Sequence, residues 1–360
     1  MKANRIQIGW RRAATVAIAA LALGGLGSGL APRAAAVELT GAGATFPYPI
    51  YSKWFDVYNQ KTGTQINYQS IGSGGGIQQV KAGTVDFGAS DAPLSNTQLK
   101  DMPRKVFHFP TVAGAVAIAY NLPGFQGQLK LTPALLTGIY MGKITTWNDK
   151  RLALANPGVA LPAAPIMPVH RSDGSGTTYI FVSYLSAVST EWKELVGAAT
   201  SVSWPAGIGG KGNEGVAGLV RQTPGAIGYV ELAYAKQNKL TVALLQNKAG
   251  HFVEPTLAAT TAAATGAAAD LAKDVRSPIV NSPAADAYPI AGFTFLIVYQ
   301  DQKDAAKGKA IADFISWAMN DGQAMAEGLD YARLPEAIVK VNQANLGRLT
   351  AGGKPVGAGR

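Results

Sequence analysis

Three times in this 360-residue chain a short apolar run gives way to a turn rich in glycine, serine and threonine, and then to residues with helical spacing. The turns are Thr-Gly-Ala-Gly-Ala-Thr-Phe at 40–46, Ile-Gly-Ser-Gly-Gly-Gly-Ile at 71–77 and Arg-Ser-Asp-Gly-Ser-Gly-Thr at 171–177. Strands feeding helices through tight turns build α/β layers, so the recurrence constrains the fold class first. It also suggests a chemistry. The first N–H groups of a helix lack partners within it and lie at the positive end of its dipole, so a helix start carrying hydroxyls suits an oxyanion. In the third turn Arg171 adds a planar fork of donors. Taken singly, each turn also reads as an ordinary loop with a Ser or Thr cap. Their recurrence favours the anion site.

Around these turns the chain alternates. Thr45 is expected at an N-cap ahead of Pro47, and Ile50, Trp54, Phe55 and Tyr58 repeat with helical spacing until Gly63. Residues 65–69 alternate as a strand. The second turn lacks the Gly-Lys-Ser/Thr ending of a nucleotide phosphate loop. Residues 85–91 read as a short strand running into a loop that carries Asp91, which by residue type alone is a solvated acid. The apolar run 113–120 predicts a buried strand. Beyond it we expect a helix over 132–141, a strand delivering Arg171, a helix from Ser175, and an irregular region from Trp192 through the glycine-rich stretch 207–215. A strand over 225–230, an Ala-rich helix over 257–273, a strand over 293–299 and a helix over 310–318 follow, with a frayed glycine-rich end after Leu349.

Asn121-Leu122-Pro123-Gly124 and Pro289-Ile290-Ala291-Gly292 break the pattern and mark two crossings. The expected organisation is therefore a first lobe from residues 37–120, a second lobe from 121–290, and a return to the first lobe over 291–360. A ligand cleft would lie between the lobes.

Residues 1–36 are set apart. Lys2, Arg5, Arg11 and Arg12 precede an apolar run broken by glycines, and Ala34-Ala35-Ala36 offers small residues for cleavage. This is the pattern of a secretory signal peptide removed near Ala36, and it implies a periplasmic mature protein. The whole chain carries 32 basic and 22 acidic residues. Five basic residues and no acidic ones fall in 1–36, which leaves the remainder at +5. That mild, dispersed charge does not suggest nucleic acid. The chain has no cysteine, which excludes disulfides, thiol catalysis and thiolate metal sites. His108, His170 and His251 lie far apart, without metal-ligand spacing.

Six stretches together resemble one family. They are T-G-A-G-A-T-F-P, G-S-G-G-G, V-D-F-G-A-S-D-A-P-L, R-S-D-G-S-G-T, G-G-K-G-N and P-G-A-I-G-Y-V, spread over residues 39–334. The family is the periplasmic phosphate-binding subunits of bacterial high-affinity phosphate ABC importers. The resemblance implies a type II periplasmic-binding-protein fold, α/β and two-lobed, that closes on inorganic phosphate and delivers it to membrane permease subunits. It implies a monomer with no cofactor and no catalytic residues. Carried over by position, Thr45, the Phe46 amide, Ser73 and Asp91 face phosphate from one lobe. Arg171, Ser175, the Gly176 amide and Thr177 face it from the other, with Asp173 supporting Arg171. The chain departs from the family pattern at Gly74, where serine is usual, and at His170, where Arg or Lys is common.

The same residues make chemical sense for a singly protonated phosphate. Hydroxyls and N–H groups satisfy its charged oxygens, and an ionised Asp91 can only accept, which matches the one O–H that phosphate has and sulfate lacks. Two rivals stand beside this reading. One is a secreted phosphatase using Ser175 or Asp91 as nucleophile, although the Gly-x-Ser-x-Gly elbow is missing and the histidines are scattered. The other is a binding protein for a different oxyanion.

Overall fold

The computed structural model describes residues 37–357, so the expected signal peptide and its cleavage point lie outside the described residues. β1 (Glu38–Gly43), α1 (Tyr48–Thr62), β2 (Gln65–Ser70), α2 (Ser73–Ala82), β3 (Phe87–Ser90) and α3 (Asn96–Lys100) alternate ahead of the long strand β4 (Val106–Tyr120). A second run holds β5 (Lys130–Leu131), α4 (Pro133–Tyr140), α5 (Lys150–Ala155), β6 (Met167–Arg171), α6 (Gly176–Val188), α7 (Thr190–Leu195), β7 (Ile208–Gly210) and α8 (Gly212–Gln222). It continues through β8 (Ala226–Glu231), α9 (Leu232–Gln237), β9 (Thr241–Val242), β10 (Leu244–Gln246), β11 (Phe252–Val253), α10 (Leu257–Gly266) and α11 (Ala268–Lys273). The chain then returns with β12 (Ala291–Tyr299), β13 (Asp301–Gln302), α12 (Ala305–Met319), α13 (Glu336–Leu346), β14 (Thr350–Ala351) and β15 (Lys354–Pro355).

The main sheet runs β2-β1-β3-β12-β4-β8-β6-β7, with β9 also on β4. Its pivot is β4. Residues 106–115 pair with β12, and residues 116–120 pair with β8. All 15 residues of β4 are buried, as a nearly unbroken apolar strand covered on both faces should be. The backbone N–H of Val116 donates to Ile290 O at 2.8 Å, and Ala115 pairs with Ala291. Two half-sheets, one per lobe, thus meet along two adjacent crossing strands. Helices cover the faces, and three fully buried tryptophans, Trp54, Trp147 and Trp192, fill the core. Each contributes on the order of a few kcal/mol by burial.

Several elements differ from the sequence expectation, each for a physical reason. β4 starts at Val106 rather than Ala113. Its Pro110 sits beside a register shift opposite Thr294 and Phe295, and such a bulge tolerates a residue without an N–H. α1 begins after Pro47, so Thr45 is not its cap. Residues 212–222 form a helix where an irregular region was expected. The glycines there serve close packing, since a Cβ on Gly210 would lie 2.7 Å from the Gly215 carbonyl carbon. The Ala-rich stretch is two helices, broken at Ala267 beside Gly266, where a Cβ would meet Ser282 Oγ at 2.3 Å. The end expected to fray is paired instead: β14 lies against β13 and β15.

Candidate anion-binding cleft

The three turns converge. α2 starts at Ser73 and α6 at Gly176, on opposite lobes, and the first turn of α2 touches the loop ahead of α6 backbone to backbone. Gly74 N donates to Gly174 O at 2.9 Å, and a Cβ on Gly74 would lie 3.0 Å from Gly174 Cα. Gly72, at φ +89°, leaves no space for a Cβ against Asp173 Oδ2. Ser73 Oγ accepts from Gly176 N at 3.0 Å and from Asp91 N at 3.3 Å. Ser175 caps α6, its Oγ accepting from Thr178 N at 3.0 Å. The first helical turn of α6 therefore stands directly against the loop that carries Asp91, and a Cβ on Gly176 would lie 2.6 Å from both Asp91 N and Asp91 Cβ.

Thr45 and Phe46 reach the same place from the end of β1. Thr45 Oγ1 accepts from the backbone N–H of Asn213 at 3.2 Å and from its Nδ2 at 2.7 Å. The Thr45 carbonyl accepts from Tyr234 Oη at 2.6 Å, and the Phe46 carbonyl from Tyr331 Oη at 2.6 Å. The buried Phe46 ring lies over Gly114, where a Cβ would stand 2.6 Å away.

Arg171 ends β6. Its backbone N–H donates to Tyr229 Oη at 3.0 Å, and its guanidinium grips Asp173 through Nε to Oδ1 at 2.7 Å and Nη2 to Oδ2 at 2.5 Å. Nη1 also donates to Thr177 Oγ1 at 3.4 Å. Burial pushes the Asp173 carboxyl up, but the Arg171 guanidinium and the Gly212 N–H outweigh it and hold the group below the usual carboxylate range. Because the pair is buried, with side chains 1% and 13% exposed, each partner neutralises charge that would otherwise be costly.

Asp91 is the exception to this satisfied network. It is buried, and its Oδ1 has no hydrogen-bond partner. Burial pushes its carboxyl up to about 7, against the lowering pulls of the Thr294 hydroxyl and the Arg171 charge. All eight proposed contact residues and Asp173 thus lie at one place where the lobes meet. Sequence reasoning missed two of their supports, Asn213 and Tyr229. The sequence signal for Asn213 was the turn Lys211-Gly212-Asn213 following a strand, and glycine content disguised it as loop.

A model of the PBP superfamily domain matches residues 29–321. The phosphate-binding protein PstS of Xylella fastidiosa (strain 9a5c) is 49% identical over 305 residues, which cover 84% of this chain and 83% of that one. The chain belongs to the PstS phosphate-binding protein family. Solved structures share its fold. The high affinity periplasmic phosphate-binding protein PfluDING aligns with a TM-score of 0.68 at 24% identity, over 90% of this chain and 99% of that one. An ABC-type phosphate transport receptor from Vibrio cholerae aligns with a TM-score of 0.53 at 21% identity, over 82% and 100%.

Within this PstS family member the histidines stand apart from the cleft chemistry. His108 Nε2 accepts from Leu94 N at 3.0 Å, and burial lowers its pKa to about 4. His170 stacks on Trp204 at 4.7 Å, and burial lowers its pKa as well. His251 is exposed beside Ala285 O. Among the described residues no group of three or more His, Cys, Asp or Glu side chains is placed to hold a metal ion.

Proposed function

We propose that this chain captures one inorganic phosphate between its lobes and delivers it to the permease of an ABC importer from the periplasm. Asp91 carries the reading. A buried carboxylate oxygen without a partner, set among hydroxyls, helix-start N–H groups and a guanidinium, calls for a ligand that is anionic and yet brings a hydrogen to donate. Singly protonated phosphate is such a ligand. Thr45 and Ser73 hydroxyls, the Phe46 amide, and Ser175, Thr177 and Arg171 then take its charged oxygens, and the Gly176 amide, which here donates to Ser73 Oγ, joins them by sharing its hydrogen with the ligand. Asp173 holds Arg171 in place and tempers its charge, so dipolar donors carry much of the attraction. The family relationship supports phosphate, and the names of the PfluDING and Vibrio proteins support a periplasmic, ABC-linked role. The expected signal peptide agrees with that location.

Selectivity follows from the same carboxylate. Sulfate has no hydrogen to give at neutral pH, so it would set an oxygen lone pair against ionised Asp91 in a dry site, a mismatch of several kcal/mol. The sign with pH is definite. Below about 7 Asp91 gains a proton and becomes a donor, so sulfate should compete better at pH 5 than at pH 8. The test is calorimetric titration of the mature protein, stripped of ligand by unfolding and refolding, with phosphate and with sulfate. Tight one-to-one phosphate binding at pH 8 without sulfate binding is expected, and Asp91→Asn should admit sulfate. Equal binding of the two anions by the unaltered protein at pH 8 would refute the reading.

A further inference from the structure

We propose that Asn213 is a positioning residue that forces one hydroxyl from each lobe to be a donor toward the ligand. This rests on the phosphate reading above and concerns how the site is polarised. A hydroxyl has one proton and two lone pairs, so its direction depends on what its lone pairs already hold. Thr45 Oγ1 receives two N–H groups from Asn213, the backbone at 3.2 Å and Nδ2 at 2.7 Å. Thr177 Oγ1 receives Asn213 Nδ2 at 3.2 Å and Arg171 Nη1 at 3.4 Å. Both lone pairs of each oxygen are engaged. The single proton on each must then point to another acceptor, and a phosphate oxygen provides one.

The orientation of the Asn213 amide is decided by its other end. Asn213 Oδ1 accepts from Glu231 N at 2.9 Å, and a backbone N–H can only donate. Nδ2 is therefore the atom facing the two threonines, and its two hydrogens serve one hydroxyl each. The residue is fully buried, so no water competes for these bonds. Its placement comes from the preceding glycine. Gly212 takes φ +70° and donates its N–H to Asp173 Oδ1 at 3.0 Å, which ties the start of α8 to the Arg171 pair. Thr45 follows β1 in the first lobe and Thr177 opens α6 in the second, so one amide sets the donor sense of both sides of the cleft. Ser73 shows the same logic by a different route, with two backbone N–H groups on its Oγ.

A double-mutant cycle tests this. Phosphate affinity is measured by calorimetry for the unaltered protein, Asn213→Leu, Thr45→Val with Thr177→Val, and the triple variant. Asn213→Leu should weaken binding roughly 10- to 100-fold in the unaltered background, since the threonine protons are then free to turn away. In the background lacking both hydroxyls it should change affinity by less than about twofold. An equal loss in the two backgrounds would show that Asn213 only holds the fold, and would overturn the proposal. If Asn213→Leu does not fold, Asn213→Ser, small and at home in a first helical turn, completes the same cycle. Failure of the unaltered protein to bind phosphate would instead remove the reading on which this rests.

Discussion

Burial moves the Asp91 carboxyl from 3.8 up to about 7, so between those values the folded chain holds a proton that the unfolded chain has released. The group therefore contributes stability below about pH 4 that is lost as pH rises to about 7. The size is on the order of 4 kcal/mol at most. His108 acts in the opposite sense, since its lowered pKa costs stability as pH falls from 6.5 toward 4. The difference between the unaltered protein and Asp91→Asn isolates the first term. Urea unfolding of ligand-free protein should show Asp91→Asn gaining relative stability from pH 4.5 to pH 7.5, and a difference that stays constant would mean that Asp91 is ionised throughout. That Asp91 stands against the glycine-rich turns was legible from its motif, although by residue type alone it reads as a solvated acid. Its raised pKa was not, because the burial that raises it comes from distant parts of the chain, β12 beside Ser90 and the α6 start at Gly176. Asn213 was illegible for the same reason, its hydroxyl partners lying 168 and 36 residues away.

At the scale of elements, the start of α6 does most of the positioning. Gly176→Ala in an ordinary helix would stabilise by about 1 kcal/mol, because alanine loses less backbone freedom on folding. Here the added carbon would meet Asp91 N and Asp91 Cβ at 2.6 Å, both backed by buried structure. The expected outcome is a folded protein whose phosphate affinity falls at least tenfold, read by titration together with circular dichroism; unchanged affinity would show that the α6 start can shift without consequence. Alternation of strand and helix was readable wherever apolar periodicity was clean, as in α1, β8 and β12. It failed at α8, where glycines needed for close contact with Gly210 look like flexible loop. It fell short at β4, where residues 113–120 read as a strand but Pro110 and His108 mask the first half that a bulge sustains.

At the scale of the whole molecule, the two lobes touch backbone to backbone where Gly74 meets Gly174. A side chain as large as leucine there would prop the lobes apart, beyond what the small adjustment for a single Cβ at 3.0 Å could absorb. We expect Gly74→Leu to bind phosphate at least tenfold more weakly and to lose the contraction that small-angle X-ray scattering should detect when phosphate is added to the unaltered protein. Full contraction in the variant would show that closure does not need this contact. Two lobes were legible from the number of alternating elements and the two Pro/Gly breaks, whereas the strand that joins them was read only in part. That strand has a further consequence, for assembly. β3 and the first ten residues of β4 belong beside β12, roughly 200 residues later in the chain, while β6, β7 and β8 lie between. A chain that emerges N-terminus first can therefore build its inserted half early, but its opening strands must wait with bare edges for a late arrival. The strand that ends this wait brings Thr294 to Asp91. A finished candidate site is thus also a sign that the chain has been made at least as far as β12.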